Sequence, residues 1–143
     1  MHRLLSVISV VIMAACTGPN SNPVDPTDTM PTGSPLHKIR ITSITPYVTD
    51  GDSASETWTI KNYEDTAVAM SGWFVRDPEA VRTTNWDMSA LGVLAPKEEK
   101  RFTSTLSAQF NNNGDDVQLI SPSGDTIQTI TFGKLTIGQV IRP

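Results

Sequence analysis

The chain predicts an all-β fold, an antiparallel β-sandwich of about seven strands, and three observations lead there. From His37 to Pro143 no segment repeats an apolar residue at helical spacing for three turns; the apolar residues recur at period two instead. Turn-forming clusters, Asp50-Gly51-Asp52, Asn111-Asn112-Asn113-Gly114-Asp115 and Ser123-Gly124-Asp125, interrupt that pattern at short intervals. The segment of about 107 residues is the size of an immunoglobulin-like sandwich and long enough for one core.

Each strand follows from its own residues. Lys38 to Ile44 sets Ile39 and Ile41 on one face with Ile44 out of phase, which marks a bulge or a change of face. After the turn at Asp50-Gly51-Asp52, Glu56 to Asn62 alternates Trp58 and Ile60 against Thr57, Thr59 and Lys61. Gly72 to Asp77 places Trp73 and Val75 together, and Asn85 to Met88 forms a short strand. Lys97 to Leu106 turns Phe102 and Leu106 inward and its charges to water. The asparagine-rich turn at 111–115 supplies residues suited to positive φ. Asp116 to Ser121 then inserts Val117 and Leu119, Ser123-Gly124-Asp125 reverses the chain, and Thr126 to Phe132 returns. Two packed antiparallel sheets accommodate these strands. Trp58 and Trp73, on apolar faces, are expected to be buried between them. Trp86 stands in a less regular stretch between Asn85 and Asp87 and is the candidate surface contact.

Ahead of this domain the composition changes twice. Met1-His2-Arg3 precedes a run of 12 mostly apolar residues, Leu4 to Ala15, too short for the roughly 20 needed to span a bilayer. A basic start, a short apolar stretch and small residues before a cut site are the parts of a secretory signal. Met13-Ala14-Ala15-Cys16 resembles the lipobox of bacterial lipoproteins, with Met13 where leucine is usual. That resemblance implies diacylglycerol on the sulfur of Cys16, cleavage before it and acylation of the new N-terminus. Cys16 is the chain's one cysteine, so no disulfide can staple the monomer. Residues 17–36 follow, with Pro19, Pro23, Pro26, Pro31 and Pro35 among small polar residues and no aromatic ring. Such a stretch has too little to bury to offset its ordering entropy. It is expected to be a tether, about 60 Å long if extended and roughly 25 Å as a coil. The chain therefore divides into a leader at 1–15, a lipidated cysteine and disordered tether at 16–36, and a domain at 37–143.

Within the domain several segments resemble the lamin tail domain. Glu56-x-Trp58-x-Ile60-x-Asn62 is similar to the family's E-x-V-x-I-x-N strand, and Met70 to Asp77 to its L-x-G-W-x-L-x-D segment. Leu94-Ala95-Pro96 matches L-x-P, with Lys97 where glycine usually follows. Phe110 to Leu119 matches L-x-N-x-G-D-x-V-x-L closely, and Ser123 to Ile127 fits the final hairpin. Gly138 to Arg142 is similar to a degenerate closing G-x-S-x-x-R, with Val140 at the serine position. The resemblance implies an immunoglobulin-like sandwich, found in bacteria as a module on exported proteins. It brings no catalytic residues.

Site chemistry is sparse. With Arg3 lost in the leader, Lys+Arg falls from 11 to 10 against 15 Asp+Glu, so the mature chain carries about −5 and disfavours nucleic acid. The basic cluster Lys97, Lys100 and Arg101 is interleaved with Glu98 and Glu99 and reads as a solvated strand face. His37 is the mature chain's lone histidine and reads as a linker residue, which leaves no Ser-His-Asp triad and no zinc set. Asp50, Asp52, Asp115, Asp116 and Asp125 fall in turns where calcium finds oxygens, yet none has the spacing of a calcium loop, and they read as solvated turn acids. The expectation is a non-enzymatic, lipid-anchored module in the cell or outer membrane, with no catalytic residue, no metal and no cofactor beyond the lipid on Cys16. It would face an envelope protein or a glycan. The alternatives are an accessory subunit docked on a larger envelope complex and a carboxylate-based hydrolase accessory. Binding of a glycan or protein in a concave patch predicts exposed aromatic residues there, and docking predicts a flat apolar patch or an unprotected sheet edge.

Overall fold

Alternating burial along the strands builds the domain. A computed structural model describes residues 29–46, 55–78, 84–104 and 110–143, and in these it forms nine strands in three antiparallel sheets. β1 (Ile39–Thr45), β2 (Thr57–Asn62) and β7 (Glu99–Thr103) make one layer in the order β1-β2-β7. The facing layer runs β5-β4-β8-β9, from β4 (Phe74–Asp77), β5 (Thr84–Asp87), β8 (Gly114–Ile120) and β9 (Thr126–Gly133). β3 (Val68–Ala69) and β6 (Val93–Leu94) form a two-stranded ribbon, and a 3-10 turn covers Met88–Leu91. The all-β antiparallel sandwich holds, with nine strands rather than about seven. The difference is β3 and β6, which at two residues each are too short to leave a period in the sequence.

Register explains what each layer turns inward. Ile41, Ile60 and Lys100 stand in one row across the first layer, and Ile44, Trp58 and Phe102 in another. The register shift between Ile41 and Ser43 decides the phase of Ile44 in favour of a bulge over a change of face. In the second layer Trp86, Val75, Leu119 and Gln128 form a row, all buried. Trp58 and Trp73 are buried as expected, at 1% and 2% exposure.

Trp86 is a correction. It is 4% exposed and lies edge-on to Trp58 with ring centroids 5.1 Å apart, so it is core and not a surface contact. Its polar neighbours Asn85 and Asp87 are exposed because they alternate outward from the same strand. What reads as irregularity in the sequence is a four-residue strand seen one period at a time.

The strand Glu56 to Asn62 turns both its apolar and its polar motif residues inward. Glu56, at 0% exposure, accepts the Phe110 N–H through Oε1 at 2.7 Å and anchors the approach to β8. Asn62, also at 0%, donates through Nδ2 to the carbonyls of Thr66, Leu94 and Ala95, while its Oδ1 accepts the Glu64 N–H at 2.8 Å. One amide thus ties β2 to the turn after it and to the β3–β6 ribbon. Asn62→Asp keeps an acceptor but replaces the two N–H donors shared by the three carbonyls with a buried carboxylate facing them, and both the unsatisfied acceptors and the buried charge are costly. The expected loss is about 3 kcal/mol, read as a lower urea midpoint at unchanged slope.

Lys97 has φ 64°, the left-handed conformation that favours glycine. Its ammonium donates to the Tyr63 carbonyl at 2.7 Å and pairs with Asp65 at 2.8 Å. Lys97 beside Asp65 holds that exposed carboxyl below its usual range. Lys97 is therefore a turn residue, and Lys100 points inward to donate to the Leu91 and Val93 carbonyls. The basic cluster is not one solvated face.

The domain also begins earlier than the expected boundary at His37. Residues 31–36 lie along the domain, where the Ser34 N–H reaches the Ile127 carbonyl of β9 at 2.6 Å. Arg40 of β1, 1% exposed, donates to the carbonyls of Pro31, Ser34, His37 and Ile39. Burial lowers its pKa, yet an arginine stays charged, so those carbonyls replace its water. Gly33 passes so close that a Cβ there would meet Arg40 Nε and the Ile127 carbonyl, each at 2.6 Å. The leader, Cys16, the turn at Asp50-Gly51-Asp52 and Leu106 lie outside the described residues.

Candidate functional site

An open groove of about 530 Å³ lies between β3 and the β8–β9 turn, lined by His37, Glu64, Ala67, Val68, Ala69, Trp73, Pro122 and Ser123. Local sequence builds each wall. Gly72, at φ 79°, lets the chain turn into β4, and a Cβ there would stand 3.2 Å from that of Pro122. The glycine thereby brings Trp73 close under the β8–β9 turn. His37 sits where the N-terminal segment meets β1, its carbonyl held by Arg40 and its ring edge-on to Trp73 with centroids 5.2 Å apart. It is part of the domain and not a linker residue.

Glu64 follows Asn62, whose side chain fixes its N–H. Its Oε1 accepts the Lys38 N–H at 3.1 Å and stands 3.8 Å from His37 Nδ1, beyond hydrogen-bond range. A histidine with a carboxylate behind it and a serine nearby has the composition of a hydrolytic site. The bonding is different. Ser123 Oγ donates to Asp125 Oδ2 at 2.6 Å and lies 2.8 Å from Ser121 Oγ, so the hydroxyl is held within its own turn. Among the described residues the groove has no nucleophile joined to a base.

β3 supplies the remaining wall. Val68 pairs with Leu94 and Ala69 with Val93, and the Met70 N–H donates to the Gly92 carbonyl at 2.8 Å. In an antiparallel ladder only alternate residues bond to a given neighbour. The Val68 groups therefore turn to β6, while the N–H and C=O of Ala67 and Ala69 turn the other way. Outside the β3–β6 ladder neither alanine has a hydrogen-bond partner among the described residues.

The described turn acids are engaged in the turns themselves. Asp115 accepts the Asn111 and Asp116 N–H groups, Asp116 accepts the Thr131 hydroxyl, and Asp125 accepts Ser123. No three His, Cys, Asp or Glu side chains cluster as metal ligands among the described residues. The three tryptophans are all buried, so none forms an exposed aromatic platform. Of the groove residues, the sequence singles out His37, Trp73 and Ser123, each for another reason. Two alanines flanking Val68 were the one further signal, and it means nothing until the pairing of β3 is known.

Comparison of the chain with protein-family models, curated proteins and solved structures finds no match.

Proposed function

We propose that the chain is an exported lipoprotein, anchored through Cys16, which presents an immunoglobulin-like sandwich of lamin tail type as a non-enzymatic interaction module of the cell envelope. The observation that carries this reading is the order of parts: a lipobox-like cysteine, a proline-rich stretch and then one β-sandwich. The open groove supports contact rather than turnover, because Ser123 is held in its own turn and the His37–Glu64 pair stands at 3.8 Å. Thr17 after the cysteine, in place of the aspartate that often retains lipoproteins in an inner membrane, favours the outer membrane where a cell has one. The lipid is the one group added to the chain, and the acidic surface argues against nucleic-acid partners.

Intact-mass analysis of the native protein is expected to show a start at Cys16 and added acyl chains. More than one chain is needed for stable anchoring, since each buried CH₂ contributes about 0.8 kcal/mol. Cys16→Ser should leave an unprocessed or soluble product. An unmodified Cys16, or a mature start elsewhere, would end the anchoring argument. The second reading, an accessory subunit docked on a larger envelope complex, gains support from the uncapped edge of β3. A glycan partner has less, with Trp58, Trp73 and Trp86 all buried.

A further inference from the structure

The described sheet edges differ in how they are protected. The Gln128 side chain caps β1, accepting the Ile41 N–H at 2.7 Å and donating to its carbonyl at 3.2 Å. Farther along β1, Ile44 exchanges two backbone bonds with Ile141 of the C-terminal segment. Ser34 covers β9 at Ile127. β7 carries Glu99, Lys100 and Arg101, with Lys100 turned inward, and β6 is met by the Lys100 ammonium. β5 shows Asn85 and Asp87 to solvent. These are the usual guards against unwanted strand pairing. Among the described residues β3 has neither a charge nor a cap, and the small side chains of Ala67 and Ala69 on either side of Val68 leave their backbone open to the groove.

We infer that the groove takes an extended segment of a partner protein, which adds as a strand to the free edge of β3 and sets a lysine or arginine against Glu64. Ala67 and Ala69 are two residues apart, so their four backbone groups match two alternate residues of an incoming antiparallel strand. At about 3.3 Å per residue, such a segment needs only some four residues to cover them. Affinity then comes from main-chain bonds and selectivity from side-chain contacts. The basic residue follows from charge complementarity. Asp65 is paired with Lys97, whereas Glu64 Oε2, on the groove wall, has no partner among the described residues. Val68 and Pro122 give the groove an apolar surface suited to a small aliphatic side chain. In a second copy pairing β3 to β3, the incoming strand and its flanks, residues 64–72, carry no lysine or arginine of their own to set against Glu64.

The inference rests on the reading of the domain as an interaction module and can fail separately from it. The test uses the native protein in detergent micelles and a capped hexapeptide of alternating threonine and valine with one lysine. Binding should slow hydrogen exchange at the Ala67 and Ala69 amides. N-methylation of the two peptide residues that face them should weaken binding at least tenfold without altering the protein. Glu64→Gln should weaken the lysine peptide severalfold and leave a glutamine-substituted peptide unchanged. Undiminished binding of the N-methylated peptide would overturn the proposal, as would protection confined to other amides or no binding at millimolar peptide. A protein dimer that protects the same amides without peptide would also overturn it. With Cys16 acylated, any of these failures would leave the anchored-module reading standing, while binding by a protein that is never acylated would do the reverse.

Discussion

Trp86→Ala should destabilise the domain by about 3–5 kcal/mol, the range for truncating a large buried aromatic residue. That is a large share of the roughly 5–15 kcal/mol that holds a domain folded. The indole lies 5.1 Å from Trp58 and 4.9 Å from Phe110 by ring centroids, and Phe102 stacks on Trp58 at 5.0 Å. Removing it opens a cavity between the layers where neighbours on two sheets can relax only in part. Trp86→Phe should recover most of the loss, because the buried Nε1 has no hydrogen-bond partner among the described residues and no polar contact there is forfeited with it. Chemical denaturation of the wild type and both variants checks this. A Trp86→Ala protein as stable as the wild type, with weaker surface binding, would restore the surface-contact expectation and refute the register of β5 on β4.

Deletion of residues 29–36 should cost about 2–3 kcal/mol, because it removes two of the carbonyls that hold the Arg40 guanidinium, and hydrogen bonds to a charged group contribute about 1.5–3 kcal/mol each. Water returning to the exposed guanidinium and the ordering entropy released with the segment offset part of that loss. The stronger test is a double-mutant cycle. Arg40→Met should be costly in the full chain, where it leaves the Pro31, Ser34 and His37 carbonyls without their donor, and much less so once residues 29–36 are gone. Gly33→Ala should act in the same direction by forcing the segment off Ile127. Equal cost of Arg40→Met in both backgrounds would show that the segment contributes nothing. A midpoint unmoved by the deletion would restore the reading of residues 16–36 as tether throughout.

Both corrections arise where a residue's role depends on a distant strand. Trp86 has exposed polar neighbours in sequence, and only its register with Val75 shows that it points inward. Arg40 sits between Ile39 and Ile41, where alternation sends it to water, and it reaches no water because a segment from outside the sheet lies over it. The free edge of β3 is equally invisible in sequence. Its meaning depends on which face of two alanines the ribbon with β6 uses, and on every other described edge being guarded by residues far away in the chain.

What the sequence determined by itself was the all-β class, the antiparallel pairing through tight turns, the break in phase along β1 and the burial of Trp58 and Trp73. These are local properties, since side chains alternate every two residues and turns are set by the few residues within them. Tertiary structure alone decided the burial of Trp86, the N-terminal segment closed over Arg40, the placement of His37 against Trp73 and the groove beside β3. Each depends on which elements become neighbours, which follows from the best joint burial of all the strands and is not encoded at any one position.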